Sequence, residues 1–244
     1  MTTALRLPGG RGRGRGHPPG WKAALVLVGL CAVGWLIGIG PSRVDDAAPE
    51  QAPPQSSEAS VALSRLALLQ VRVRASREGY SRKQFGQRWA DIDRNGCDTR
   101  NDILNRDLDE RVWRPGTRDC VVVAGRLRDP YTGASLRFEK SNASAIQIDH
   151  VVSLSNAWET GAQDLAPHRR LEFANDPLNL LAVDGPTNDA KGDADAAAWL
   201  PNGAFRCDFV ARQIEVKVRY GLWTTPAEHE AMRRVLLECT TPPQ

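Results

Sequence analysis

The sequence predicts an α+β fold on three observations: two short apolar strands, a helix start directly after the second, and a helical C-terminal third. Residues 147–152 (QIDHVV) alternate polar and apolar side chains as a half-buried strand does. Residues 178–183 (LNLLAV) form the second apolar run. Asp184-Gly185-Pro186 then turns the chain, and Pro186-Thr187 suits the first turn of a helix. The predicted order is strand, long loop, strand, helix. It lets Asp149 and His150, closing the first strand, converge with Asn188 on one cleft.

From the N-terminus, Arg11 to Gly16 is an Arg-Gly repeat inside a basic tail, residues 1–22. Residues 23–40 are apolar and uncharged, the length of a signal anchor or signal peptide, with no clean small-residue cleavage site. Basic residues before such a segment predict a cytoplasmic N-terminus and an exported remainder, secreted or tethered to the membrane. Residues 41–60 (Pro, Ala, Ser and acid) read as a disordered linker. The folded domain is then 61–244, and it is expected to be a monomer. Leu63, Leu66, Leu68, Leu69, Val71 and Val73 predict a helix packed on that domain.

Phe85, Trp89 and Ile92 have helical spacing and lead into DIDRNGCDTR. Asp91, Asp93 and Asn95 resemble the start of an EF-hand calcium loop, with Asp102 at its twelfth position. Asp98 at the eighth position and the neighbouring Cys97 depart from that pattern. A tight polar turn beside a disulfide is the alternative. Residues 119–138, with Val121-Val122-Val123, the DPYTG turn and Leu136-Phe138, predict a hairpin that extends the sheet edge beside the other strands. Near the C-terminus, residues 209–220 carry an apolar stripe of Val210, Ile214, Val216, Val218 and Tyr220. Thr225-Pro226-Ala227-Glu228 opens a last helix that buries Met232, Val235, Leu236 and Leu237.

Charge and cysteine usage narrow the classes. Of 32 basic residues six precede residue 44, whereas all 29 acidic ones follow it, so residues 44–244 carry a net of −3. This net acidity argues against tight non-specific DNA binding by charge alone. Cys31 lies in the apolar segment. Cys97, Cys120, Cys207 and Cys239 form an even set, and local closure favours Cys97–Cys120 and Cys207–Cys239. No C-x-x-C spacing supports a structural zinc.

Asp149-His150, Asn179-Leu180, and Asn188 followed by Lys191-Gly192 form an ordered set. Together they resemble the HNH endonuclease superfamily, and more closely the GmrSD-type C-terminal nuclease domains of secreted bacterial proteins. The likeness extends upstream through Asn95-Gly96-Cys97-Asp98-Thr99-Arg100 and downstream through Tyr220-Gly221-Leu222, covering about residues 80–239. Its third signature position holds Asn188 in place of His. The resemblance implies a ββα-metal (His-Me finger) core with an extra hairpin and flanking helices. It also implies a metal-dependent endonuclease acting on nucleic acid, DNA before RNA.

The residue chemistry suits that implication. Phosphodiester hydrolysis needs a base for water and positive charge for the developing phosphorane. A histidine of ordinary pKa near 6.5 serves as base if held in the right tautomer. Asp149 and Asn188 offer oxygen ligands of the kind that Mg²⁺ or Mn²⁺ accepts while retaining water. The catalytic set expected is His150, Asn179 and Lys191, the metal set Asp149 and Asn188. The phosphate-binding set is Arg100, Arg169 and Arg170. Two other readings stay open at this point, a catalytically inactive exported calcium- or wall-binding module and a membrane-tethered RNA binder using the Arg-Gly tail.

Overall fold

The computed structural model describes residues 55–240. The basic tail, the apolar segment at 23–40 and the linker as far as residue 54 lie outside the described residues. The first element, α1 (Gln55–Leu66), starts inside the stretch read as linker. Ala59, Ala62 and Leu66 share one face and are buried. That face packs on two C-terminal helices, α6 (Arg206–Tyr220) and α7 (Pro226–Thr240). Alanines in a Pro/Ser-rich setting read as linker, yet they are small enough to let helices approach closely. The helix expected from Leu63 to Val73 ends at Leu66. Beyond it Leu68, Val71 and Val73 are exposed, and the backbone pairs with residue 224 through Arg72 N–H to Thr224 O (2.9 Å).

The Phe85–Trp89–Ile92 spacing yields only a 3-10 turn, Arg82–Phe85, ended by Gly86 at φ 76°. A side chain at Gly86 would meet Leu171 Cδ1 at 2.8 Å, so the turn lies close against the helix carrying Leu171. Next comes α2 (Thr99–Asp107), capped by the Asp98 carboxylate accepting from Asn101 N–H at 2.9 Å.

A three-stranded antiparallel sheet follows in the order β1 (Leu108–Trp113), β2 (Val122–Arg128), β3 (Ser135–Glu139). The β2–β3 hairpin matches expectation. The strand β1 was not foreseen, because only Leu108 of LDERVW is fully buried and the run lacks an apolar face. The hairpin also does not extend the other sheet. β4 (Ile146–His150) and β5 (Leu180–Asp184) form a separate two-stranded antiparallel sheet, with Asp149 opposite Leu181 and His150 opposite Leu180. Carboxylates bridge the gap between the sheets. Asp107 accepts from Ala182 N–H (2.8 Å) and Asp129, in the hairpin turn, from Asp184 N–H (3.0 Å). Side chains thus satisfy the outer edge of β5, where a neighbouring strand would otherwise have to.

Two cores meet on this small sheet. Ile146, Ile148, Leu180 and Ala182 join Ile103, Leu104 and Phe138 of the α2/β-sheet layer. Val151, Leu181 and Val183 join the helical layer of α1, α6 and α7. The interval between β4 and β5, expected as a loop, contains α3 (Leu154–Glu159) and α4 (Pro167–Asn175). Asn179 ends a 3-10 turn, Pro177–Asn179, just before β5 and is not in the strand. After β5, α5 (Gly185–Lys191) starts at the predicted turn, with Asp184 accepting from Thr187 N–H (2.9 Å). Gly185 is obligatory there, since a Cβ would stand 2.1 Å from Ser144 O.

The C-terminal helices and disulfides follow the sequence closely. α6 stops at Gly221, left-handed at φ 64°, and α7 opens with a capping box, Glu228 N–H to Thr225 Oγ1 (3.1 Å). Cys97–Cys120 and Cys207–Cys239 are both bonded.

Candidate active site

A cleft of about 800 Å³ opens above the end of β4. Asp149 and His150 from β4, Asn188 from α5, Arg100 from α2, and Arg82, Arg88 and Trp89 from the segment around the first 3-10 turn all line it. The half-buried His150 ring sends Nε2 to Ala174 O at 2.9 Å. A carbonyl only accepts, so Nε2 carries the proton and Nδ1 keeps its lone pair. Burial lowers the imidazole pKa to about 4, with the Arg82, Lys191 and Arg88 charges adding to the effect against the Ala174 carbonyl. His150 is therefore a neutral acceptor at neutral pH.

Asp149 is buried and held from two sides. Tyr131 OH donates to Oδ2, and Lys191 Nζ lies 3.0 Å from Oδ1. Burial pushes the carboxyl upward, while Lys191 and the Tyr131 hydroxyl pull it back. Tyr131 itself is pushed well above its ordinary value by burial and by Asp149, so it stays a donor. Lys191 Nζ also donates to His150 O (3.0 Å), which ties α5 to both residues of the Asp-His pair. Fully enclosed at its side chain, Lys191 braces the pair from behind and does not line the cleft.

Asn179 is likewise a brace and not a cleft residue. Its Oδ1 accepts from Val152 N–H (2.8 Å) and its backbone oxygen from Val151 N–H (2.8 Å). These bonds fix the chain immediately after His150. The expected catalytic set thus separates into one group facing the cleft, His150, and two that position it, Asn179 and Lys191.

For a metal, the relevant atoms are the Asp149 carboxylate and the Asn188 amide oxygen. Asn188 Nδ2 donates to Gln147 Oε1 (2.8 Å), which orients the amide; its Oδ1 receives no hydrogen bond among the described residues. The Asp149 carboxylate accepts from Tyr131, Lys191 and the His150 backbone, which leaves it lone-pair capacity for one more partner. Both are hard oxygen donors on one cleft. The calcium-like loop is arranged differently. Asp91 accepts from Asn95 N–H (3.1 Å) and Gly96 N–H (2.9 Å), while Asp93 and Asp102 accept from Asn95. The carboxylates brace a polar turn, and among the described residues no three His, Cys, Asp or Glu side chains form a metal-holding group.

The arginines required the largest correction. Arg100 does line the cleft, half-buried, its pKa lowered by burial and by Arg88. Arg169 instead pairs with Glu172 and lies 4.9 Å over the Tyr220 ring. Arg170 is buried, donating to Leu165 O and to Gln84 O (2.8 Å). Neither borders the cleft, because α4 turns both toward the protein body where the sequence suggested a phosphate-facing loop. Arg170 holds up the wall that contains Arg82, Arg88 and Trp89. Asn175 does the same through Nδ2 to Gln87 O (3.3 Å). Sequence reasoning missed Arg82, Arg88, Trp89 and Tyr131. The only signals were a basic-aromatic run (RKQFGQRW) read as helix and a tyrosine inside a turn motif.

Comparison with known proteins identifies a family for most of the described residues. The profile of GmrSD restriction endonucleases, C-terminal domain, matches residues 98–235. A protein of Arthroderma benhamiae described as an uncharacterized secreted protein is 38% identical over 195 residues, which is 79% of this chain and 91% of that protein. No solved structure matches.

Proposed function

This chain belongs to the family of GmrSD restriction endonuclease C-terminal domains, and from that premise we propose that it is an exported, metal-dependent endonuclease acting at the His150 cleft. Its substrate is nucleic acid, DNA before RNA. One observation carries the reading: Nε2 of His150 is committed to the Ala174 carbonyl, so Nδ1 is left as a base in a cleft bordered by Arg82, Arg88 and Arg100. Nδ1 takes a proton from water, the water oxygen bonds to phosphorus, and the P–O bond to the leaving oxygen breaks. The leaving oxygen is protonated from solvent. General-base help of this kind contributes about 10²- to 10⁴-fold in rate.

Phosphate affinity comes from local charge. The three cleft arginines make no ion pair among the described residues, so a phosphate oxygen is their natural partner. This removes the objection from the net acidity of the body. Asp149 and Asn188 fit Mg²⁺ or Mn²⁺ by donor chemistry. An ion between them would supply Lewis-acid stabilisation of the phosphate and the leaving oxygen. Under this reading β4, β5 and α5 are the strand, strand and helix of a ββα-metal core. Two disulfides and the relative's description as secreted support export.

Plasmid degradation by the protein tests the reading. Any shortened form must begin before Gln55, since a start at residue 61 would cut α1 in half. Millimolar Mg²⁺ should activate cleavage, Zn²⁺ should inhibit by competing for His150, and excess EDTA should stop it. Undiminished cleavage in EDTA, or by His150→Ala, would sink the proposal.

A further inference from the structure

Trp89 is built unlike the other tryptophans of the body. Its backbone is left-handed at φ 58°, a region that bulky side chains rarely enter, and such departures gather where function demands them. The ring lies on the cleft wall, half-buried, nearly parallel to His150 (10° between planes, centroids 6.3 Å apart). The Arg88 guanidinium sits 5.1 Å from its centroid. Trp113, Trp158 and Trp223 each donate their indole N–H to a protein oxygen; those of Trp89 and Trp199 donate to none among the described residues, but Trp199 packs edge-on against Tyr131 and Phe209 whereas Trp89 borders the cleft. The wall is braced from behind by Arg170 on Gln84 O and Asn175 on Gln87 O. An aromatic ring with a spare donor, flanked by arginines that make no ion pair among the described residues, thus borders the cleft beside His150.

We propose that Trp89 stacks on an unpaired base next to the scissile phosphate, with Arg88 and Arg100 on the neighbouring phosphates, so that the cleft takes single-stranded nucleic acid in preference to duplex. The inference rests on the nuclease reading above. A duplex keeps its bases stacked inside and must extrude one before any side chain can cover its face, whereas a single strand offers its bases directly. Aromatic stacking is sequence-tolerant because every base has a π-face. Specificity here is therefore for strandedness and not for sequence.

The test uses the full chain carrying His150→Ala, so that binding is read without cleavage. A fluorescein-labelled single-stranded DNA 12-mer and the same 12-mer as a duplex are titrated by anisotropy. The single strand should bind at least about tenfold tighter. Adding Trp89→Ala should weaken single-strand binding about ten- to a hundredfold and leave the duplex unchanged. Trp89→Phe should restore most of the loss, which also covers the case in which the alanine variant fails to fold. In otherwise unaltered protein, Trp89→Ala should raise KM for the single strand with kcat maintained. Equal affinity for both forms, no binding of either, equal loss on both, or a fall in kcat alone would overturn the assignment. The last outcome would make Trp89 a positioning residue for His150. Cleavage of both forms at equal rate would end this inference and leave the nuclease reading intact. Selective single-strand binding without any cleavage would do the reverse.

Discussion

Two buried lysine–carboxylate pairs lie in this domain, alike in chemistry and opposite in use. Lys191 and Asp149 approach to 3.0 Å, as do Lys217 and Glu228, and both lysine side chains are fully enclosed. Lys217, on α6, is held by groups from α3, α7 and the segment between α6 and α7. Nζ reaches Trp223 O (2.9 Å), Asn156 Oδ1 (3.1 Å) and the Glu228 carboxylate, and Glu228 also caps α7. That pair joins α3, α6 and α7 and does not line the cleft. Burial lowers Lys217 and raises Glu228, each opposed by the other's charge. Asp149, by contrast, borders the cleft, and Lys191 bonds the backbone of His150, the base of the proposed reaction. The residue pair alone does not make a site. Access to an open cleft and attachment to a reactive group do.

The comparison is broken most sharply by two substitutions read together. His150→Ala should cut cleavage about 10²- to 10⁴-fold, with the melting temperature nearly unchanged. Lys217→Met should do the opposite, costing about 3–5 kcal/mol because Glu228 is left charged and unpaired in the interior. Thermal melting beside a plasmid assay separates the two. A Lys217→Met protein that melts like wild type would mean its pair contributes little.

Lys191→Met falls between these extremes. It should lower stability, since Asp149 loses its buried partner, and also lower kcat, since the carbonyl of His150 loses its anchor. Asp149→Asn should keep most of the fold while raising the Mg²⁺ concentration needed for half-maximal rate. If Lys191→Met changes stability but not kcat, the two pairs are equivalent and the site pair has no positioning role.

A smaller effect is expected on pH. His150 is neutral, and so competent as a base, above about pH 4. Activity limited by this group should persist well below pH 6.5 and fall as pH drops through about 4. The linked stability runs in the same direction: complete above the ordinary imidazole value of 6.5, it is lost as pH falls toward 4, because only the unfolded chain protonates readily in that window. The acid limb of kcat/KM against pH measures this, and an inflection near 6.5 would show that burial does not govern the base. Smallest of all should be Arg169→Ala. Its half-exposed pair with Glu172 is worth about 0–1 kcal/mol and lies off the cleft, so cleavage should change less than about twofold. Arg170→Ala should cost more activity through the wall it supports.

What the sequence by itself determined is what chain neighbours decide. Alternation through Gln147-Ile148-Asp149 marked the strand, which runs Ile146–His150 and so ends on the Asp-His pair, two residues short of the run read from the sequence; Asp184, Pro186 and Thr187 set the start of α5; Thr225 and Glu228 set that of α7. Each rests on contacts within a few residues, where backbone geometry allows few answers. The two disulfides were legible for a related reason, because with an even set of cysteines the shortest closures bring the right pairs together. Only the tertiary structure decided which arginines line the cleft. It turned Arg169 and Arg170 onto the body and brought Arg82, Arg88, Trp89 and Arg100 to the cleft that Asn188 also lines. It also recruited Tyr131 from a hairpin turn to Asp149, bent a helix-spaced run into a single 3-10 turn, and folded part of an apparent linker into α1. Such outcomes depend on which surfaces are buried together across long stretches of chain. Burial is proportional to area and indifferent to sequence order, so no local pattern encodes them.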